Sequence, residues 1–251
     1  MKWLLLFIIG IAGILVWISY NNQPDELVRR AELSPAPSAT PQQQIRSITF
    51  EDNDYNLYIA DITDRDVSLI PNFTEKQSAS TLAQANNCRG ATSGGFYTPE
   101  NKPLGLFIAD GKTYANEVSE TRLLSGFFSV TDSGVLLLSD EAIAGVRHSV
   151  QSGPLLQRNQ AFSTVRDEPA RRIVVAQNDS GATFLIAVTE TDNIHSGPFL
   201  RDLPDIIFSL NEPTQFTNVL NLDGGAASYY QDSTKVRLSE LTTVGSIICI
   251  K

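Results

Sequence analysis

The chain is poor in the residues that most often mark chemistry. In 251 residues it has two histidines, His148 and His195, and two cysteines, Cys88 and Cys249. That scarcity excludes much. A serine triad needs a histidine beside its nucleophile. No G-x-S-x-G occurs, and no helical periodicity joins His148 to Ser152. There is no H-E-x-x-H, no EF-hand loop and no C-x-x-C, so no zinc or dithiol centre is expected. No cofactor is expected, and metal dependence is left open. Positive charge is short too: 19 Lys and Arg face 28 Asp and Glu, a net −9. Before Ile45 the charges cancel, so the excess sits on the C-terminal part. Such a surface repels nucleic acid and anionic headgroups at long range, and nucleic acid is not an expected partner.

What is present begins with one long apolar run. WLLLFIIGIAGILVWISY, Trp3 to Tyr20, carries no charge. As a helix it reaches about 27 Å at 1.5 Å per residue, close to the hydrocarbon thickness of a bilayer. Trp3, Trp17 and Tyr20 stand at its ends as an aromatic belt would. No A-x-A-like cleavage site follows. Residues 1–22 are therefore expected to be an uncleaved signal anchor, crossing the membrane through residues 3–20. The expected location is the cell membrane, single-pass, with the domain on the extracytoplasmic side. Residues 23–44, with LSPAPSATPQQQ, read as a Pro/Ser/Gln-rich tether. One domain over 45–251 follows. In an oxidising compartment Cys88 and Cys249 would close a long loop, worth about 4–5 kcal/mol in the chain-entropy model. Two buried thiols are the alternative.

The domain is rich in short strand signals. IRSITF, YNLYIADI and DVSLI alternate or carry β-branched residues. PLGLFIADGK is a strand ending in an Asp110-Gly111 turn. Hairpins are expected around Asp132-Ser133-Gly134 and around Asn178 to Gly181, and VGSIICI ends the chain as a strand. Helices look few. One is expected in TEKQSASTLAQAN with Thr74 as cap. Another is expected after Ser196, with Pro204 kinking or restarting it. The expected fold class is α+β, a mixed, largely antiparallel β-sheet core with a few helices, preceded by the transmembrane helix.

Three expected strand ends carry glycine and small polar residues: Ser93-Gly94-Gly95, Ser152-Gly153-Pro154, and Asp223-Gly224-Gly225 with Ser228. Each alone is a turn. Together they suggest one cleft, where backbone N–H groups and hydroxyls reach a polar ligand. Arg171 and Arg172 open a strand and alternate across its faces, so at most one is expected to point inward. A buried arginine needs a partner, either a structural carboxylate or a ligand phosphate.

In this order the segments resemble the phosphodiester glycosidase domain family, and more closely its short bacterial branch. The residues that carry the likeness are Ser93 to Tyr97, Pro103 to Leu106, Ser125 to Phe128, Gln151 to Leu156, Arg172, and Asn221 to Ser228. The chain departs from the pattern in having Ser93 for an asparagine, and Gly126 directly before Phe127 where the family has an asparagine. The resemblance implies hydrolysis of a sugar C1–O–phosphate bond. Asp223 would act as nucleophile or general base, and Arg172 would neutralise the leaving phosphate. Ser93, Gly94, Gly95, Ser152, Gly153, Gly224, Gly225, Ser228 and Arg171 would line the substrate. The implied partner is a carbohydrate phosphodiester or an envelope glycan. The rival expectation is a catalytically inactive module that binds envelope glycan or glycan-phosphate.

Overall fold

The computed structural model describes residues 44–160, 162, 167–210, 215–234 and 236–251. The expected anchor over 1–22, and the tether over 23–44 except Gln44, lie outside them. Among the described residues no helix is long and apolar enough to cross a membrane.

Local turn chemistry sets the hairpins. The first strands are β1 (Gln44–Phe50), β2 (Asn53–Asp61), β3 (Val67–Pro71) and β4 (Gly90–Ser93). Strands β5 (Phe107–Ala109) and β6 (Lys112–Ala115) join through Asp110 and Gly111, both at positive φ, as a two-residue hairpin requires. Strands β7 (Gly126–Val130) and β8 (Leu136–Ser139) flank Gly134 at φ +84°. Then come β9 (His148–Ser152) and β10 (Leu155–Gln157). Strands β11 (Arg172–Asn178) and β12 (Thr183–Glu190) turn where Asn178 Oδ1 accepts from the Ser180 and Ala182 N–H groups. The last strands are β13 (Phe216–Asn221), β14 (Tyr230–Gln231), β15 (Arg237–Leu238) and β16 (Ser246–Ile250).

These build three sheets, ordered β1-β2-β12-β11-β13-β10, β15-β14-β4-β16-β3 and β6-β5-β9-β7-β8. Each pairing between these strands is antiparallel, so the core is mostly antiparallel β rather than mixed. One face of the six-stranded sheet (Ile173, Val175, Leu185, Ala187, Leu220) shares a central core with Leu69 and Ile248 of one neighbour and Phe128 and Val150 of the other. Its opposite face (Val174, Ala176, Ile186, Val188, Val219) packs on helix α2 (Leu203–Phe208). Helix α1 (Ala79–Ala85) covers the far side of the β4–β16 pair through Ala79, Leu82 and Ala83. Burying each large apolar side chain contributes about 1.5–3 kcal/mol.

Both helices start later than the sequence suggests. Ser78, not Thr74, caps α1, its Oγ accepting from Thr81 N at 3.2 Å. The reason is Asn72, whose side chain accepts from Gln77 N and donates to Gln77 O and Val244 O. That clamp, with Lys76 at φ +51°, turns the chain before a helix can begin. The second helix does not start at Ser196. Asp167 accepts from the N–H groups of Leu200 and Arg201, each at 2.8 Å, holding that stretch as a turn. Pro204 then sits in the first turn of α2, where its missing N–H costs nothing.

Cys88 and Cys249 form a disulfide between the end of the α1 segment and β16, 161 residues apart. Reduction is expected to lower stability by about 2–4 kcal/mol. Urea unfolding with and without dithiothreitol checks this, and coincident curves would contradict it.

Candidate functional site

The three glycine-bearing strand ends meet at one end of the six-stranded sheet. β13 does not stop interacting at Asn221: Leu222 N donates to Ile173 O at 2.8 Å, and Asp223 N donates to Gly94 O at 2.9 Å. The chain thus passes from the β11 ladder to the end of β4. Ser93 Oγ donates to Asp223 O at 2.7 Å, and Ser152 Oγ donates to Asn221 O at 2.8 Å. Asn221 Nδ2 donates to Gly153 O at 2.9 Å. The backbone that carries Asp223 is therefore held from three strands.

The face it occupies follows from alternation. Val219 belongs to the α2-side core, while Leu220 and Leu222 belong to the central core. Asn221 and Asp223 accordingly project on the α2 side. On β11, Ile173 and Val175 are central and Val174 is on the α2 side, so Arg172 shares the face of Asn221 and Asp223. Register agrees, because Val174 pairs with Asn221 and Arg172 lies one step beyond Ile173.

Asp223 is 9% exposed. Burial pushes its carboxyl up to about 7, against the opposing pull of the Gly224 N–H. A buried carboxylate without a paired cation shifts this way. Tyr97 stands near enough for the Asp223 charge to help raise its phenol, after burial, and its hydroxyl donates to Thr243 O. Tyr97 was not among the expected site residues, although the quoted motif contains it.

Several of the expected site residues are engaged by protein partners. Ser93, Ser152 and Ser228 are fully buried. Their hydroxyls serve protein partners: backbone carbonyls for the first two, and Arg171 with Gly225 O for the third. The glycines are small because the chain packs on itself. A Cβ on Gly94 would meet Ser246 Oγ at 2.4 Å, on Gly95 Val150 Cγ2 at 2.4 Å, and on Gly224 Arg171 O at 2.8 Å. Gly153 has φ +152°, and a Cβ there would lie 2.5 Å from Leu123 O. Gly225, at φ +60°, donates its N–H to Arg171 O.

Arg171 likewise has its side chain fully enclosed by protein partners. Nε donates to Ser228 Oγ at 2.5 Å, Nη2 to Ser228 O at 2.6 Å and Ser239 O at 2.7 Å, and Nη1 to Ile194 O at 3.2 Å. Burial draws its pKa down to about 10. Arg172, by contrast, stands on the α2-side face of β11, with its Nη2 also donating to Glu168 O at 2.7 Å. Its Nε donates to Pro198 O at 3.0 Å and its Nη2 meets Asp167 at 3.2 Å, with Asp167 holding up a pKa that burial lowers. Both arginines are thus largely buried, where sequence alternation allowed only one to be.

Gln151 braces the loops next to Ser152. Buried, its side chain accepts from Leu106 N and Ser119 N and donates to Ser119 O and Leu124 O, tying two loops to β9 beside Ser152. Among the described residues no cluster of three or more His, Cys, Asp or Glu could hold a metal ion.

Comparison with known proteins agrees with this architecture. The catalytic domain of zebrafish N-acetylglucosamine-1-phosphodiester alpha-N-acetylglucosaminidase, auto-inhibited by its pro-peptide, superposes with a TM-score of 0.66 at 18% identity, over 86% of this chain and 84% of that one. A hypothetical protein from Synechocystis superposes with a TM-score of 0.60 at 14% identity, over 83% of this chain and 61% of that one. No protein with a curated description matches in sequence. The sequence model of the phosphodiester glycosidase family matches residues 86–250. That span includes every strand from β4 to β16 and the whole of the site, and the chain belongs to the phosphodiester glycosidase family.

Proposed function

We propose that this domain hydrolyses a sugar-1-phosphodiester, with Asp223 as general base. The observation that carries the reading is the buried carboxylate at the junction of three strands, with a pKa of about 7. A base poised near neutrality suits proton transfer from water. Water adds to C1 as Asp223 takes its proton. The C1–O bond breaks, and its electron pair stays on the phosphate oxygen. The products are the free sugar, with a new C1 hydroxyl, and a phosphate monoester. That leaving group has a second pKa of about 6, so it departs as a stable anion without a proton donor. It needs charge neutralisation, which falls to Arg172 on the same face. A single acting carboxylate therefore suffices, where ordinary glycosidases use two.

The sign of the pH dependence follows. A base works ionised, so kcat/KM should rise with pH through about 7 and level off above it. Arg172→Ala should lose at least about tenfold in kcat, in line with removal of one charge-stabilising donor. A panel of sugar-1-phosphodiesters, assayed from pH 5 to 9, tests both. Full activity in Arg172→Ala, or a rate that falls as pH rises, would sink the assignment. Binding without turnover would favour the glycan-phosphate binding reading.

The cellular setting is part of the proposal. The uncharged run Trp3 to Tyr20 supports a single-pass anchor, residues 23–44 a tether, and residues 45–251 the working domain. The Cys88–Cys249 disulfide supports an oxidising, extracytoplasmic side.

A further inference from the structure

His148 is one of only two histidines, and hydrolysis leaves it without a task. It stands 1% exposed at the start of β9. Its Nδ1 accepts twice, from Asp110 N at 3.1 Å and from Leu69 N at 3.4 Å. A ring nitrogen that accepts carries no proton, so the hydrogen-bond network assigns the neutral ring with its proton on Nε2. Nε2 is buried and has no partner. Among the described residues neither ring nitrogen meets an acceptor, and a cationic ring needs one at each.

The two donors belong to different sheets. Asp110 lies in the β5–β6 turn, in the sheet of β9. Leu69 lies on β3, whose one sheet neighbour is β16. Asn72 N, one residue past β3, donates to Gly245 O, so by alternation Leu69 turns its N–H away from β16. Pro71, next on that edge, has no N–H to offer. Among the described residues no other hydrogen bond joins β3 to β5, β7 or β9. The far end of β9 is Ser152, which bonds Asn221 O beside the site.

We infer that His148 is an acid-sensitive latch between β3 and β9, closed while its ring is neutral and released when Nδ1 takes a proton. A proton on Nδ1 points at two N–H donors, so both hydrogen bonds are lost together. The charged ring is also buried beside Arg147 and Lys251, with Asp110 and Asp66 pulling the other way. Burial first, then Arg147, keeps the ring below its ordinary value of about 6.5. As pH falls the unfolded chain takes this proton before the folded one does. The latch therefore contributes fully above about pH 6.5, and its contribution is lost as pH drops through the folded value. Asp223 has the opposite sign, because acid favours its buried carboxyl.

The test is hydrogen exchange of the Leu69 and Asp110 amides in the full chain, read by NMR at pH 7.5 and 4.5 with each rate divided by its intrinsic rate. Both amides should lose at least tenfold in protection at pH 4.5, measured against the Val174 and Ile186 amides of the six-stranded sheet. In His148→Asn the amide oxygen stands where Nδ1 stood, accepts at either pH and does not titrate, so protection should stay within threefold between the two. His148→Leu should leave both amides poorly protected at either pH. Constant protection in the unmodified protein overturns the inference. So does an equal fall in His148→Asn, which moves the acid sensitivity to other groups, or full protection in His148→Leu, which assigns it to packing. If His148→Asn does not fold, the two amides of the unmodified protein decide alone.

Discussion

Replacing Asp223 by Asn is expected to remove at least a hundredfold of kcat/KM and, at the same time, to stabilise the protein above pH 7. The first effect is the loss of a general base, worth about 10²–10⁴ in rate. The second follows from burial. The folded carboxyl has a pKa of about 7, raised from an ordinary 3.8. Between those values the folded state keeps a proton that the unfolded chain has released. Stability therefore falls as pH rises through that window, and stays at its low level above pH 7, where both states are ionised. At about 1.36 kcal/mol per unit, the buried charge costs on the order of 4 kcal/mol at pH 8. Asparagine has the same shape and no charge, so it escapes that cost. Urea midpoints at pH 5 and pH 8 separate the two proteins. The gain from Asp223→Asn should be larger at pH 8 by about 2–4 kcal/mol. Parallel pH dependence in both would mean that Asp223 ionises normally, and the base assignment would lose its physical ground.

How much of this was written in the sequence depends on the range of the forces involved. The Asp110-Gly111 and Asn178–Gly181 turns are local, set by residues that tolerate positive φ or bond their own backbone, and they stand where expected. The helix starts are not local. Asn72 reaches Val244 across the fold, and Asp167 caps a turn 33 residues away. No periodicity announces either clamp. The family pattern was legible from the order of its short motifs, and its match over residues 86–250 bears that out.

The site divides in the same way. Asp223 could be nominated because an acid after an apolar strand and before two glycines is a local signature. Whether Ser93, Ser152 and Ser228 face a ligand or a neighbouring chain is decided by which strand ends adjoin, and they face the chain. The glycines give the same lesson. Their missing side chains make room for Ser246, Val150 and the Arg171 carbonyl, so close packing at strand ends is by itself enough to produce the pattern.

Arg171→Met is expected to cost about 3–5 kcal/mol and to abolish turnover, although the Arg171 side chain is fully buried. Its guanidinium is not paired with a contacting carboxylate. Glu240 only supports its charge from a distance, while burial opposes it. What holds it are carbonyls and a hydroxyl from three separate stretches: Ser228, Ser239 and Ile194. Methionine fills the space of the stem but leaves the Ser228, Ser239 and Ile194 carbonyls without that donor, and each orphaned buried group costs about 1–3 kcal/mol. Lysine, with three donors on a single nitrogen instead of a planar fork, should recover only part of the loss. Activity should fall together with stability, because the guanidinium holds Ser228, whose hydroxyl donates to Gly225 O in the turn that follows Asp223. Arg172→Lys should behave differently. It leaves a cation beside the buried Asp167, which also keeps the Leu200 and Arg201 N–H groups, so the stability loss should be smaller while loss of the planar fork still lowers kcat. Urea unfolding and kcat, measured together on the two variants, distinguish a strut from a catalytic cation. A stable Arg171→Met would show that the strand ends hold their geometry without the clamp, and the division of labour between the adjacent arginines would have to be redrawn.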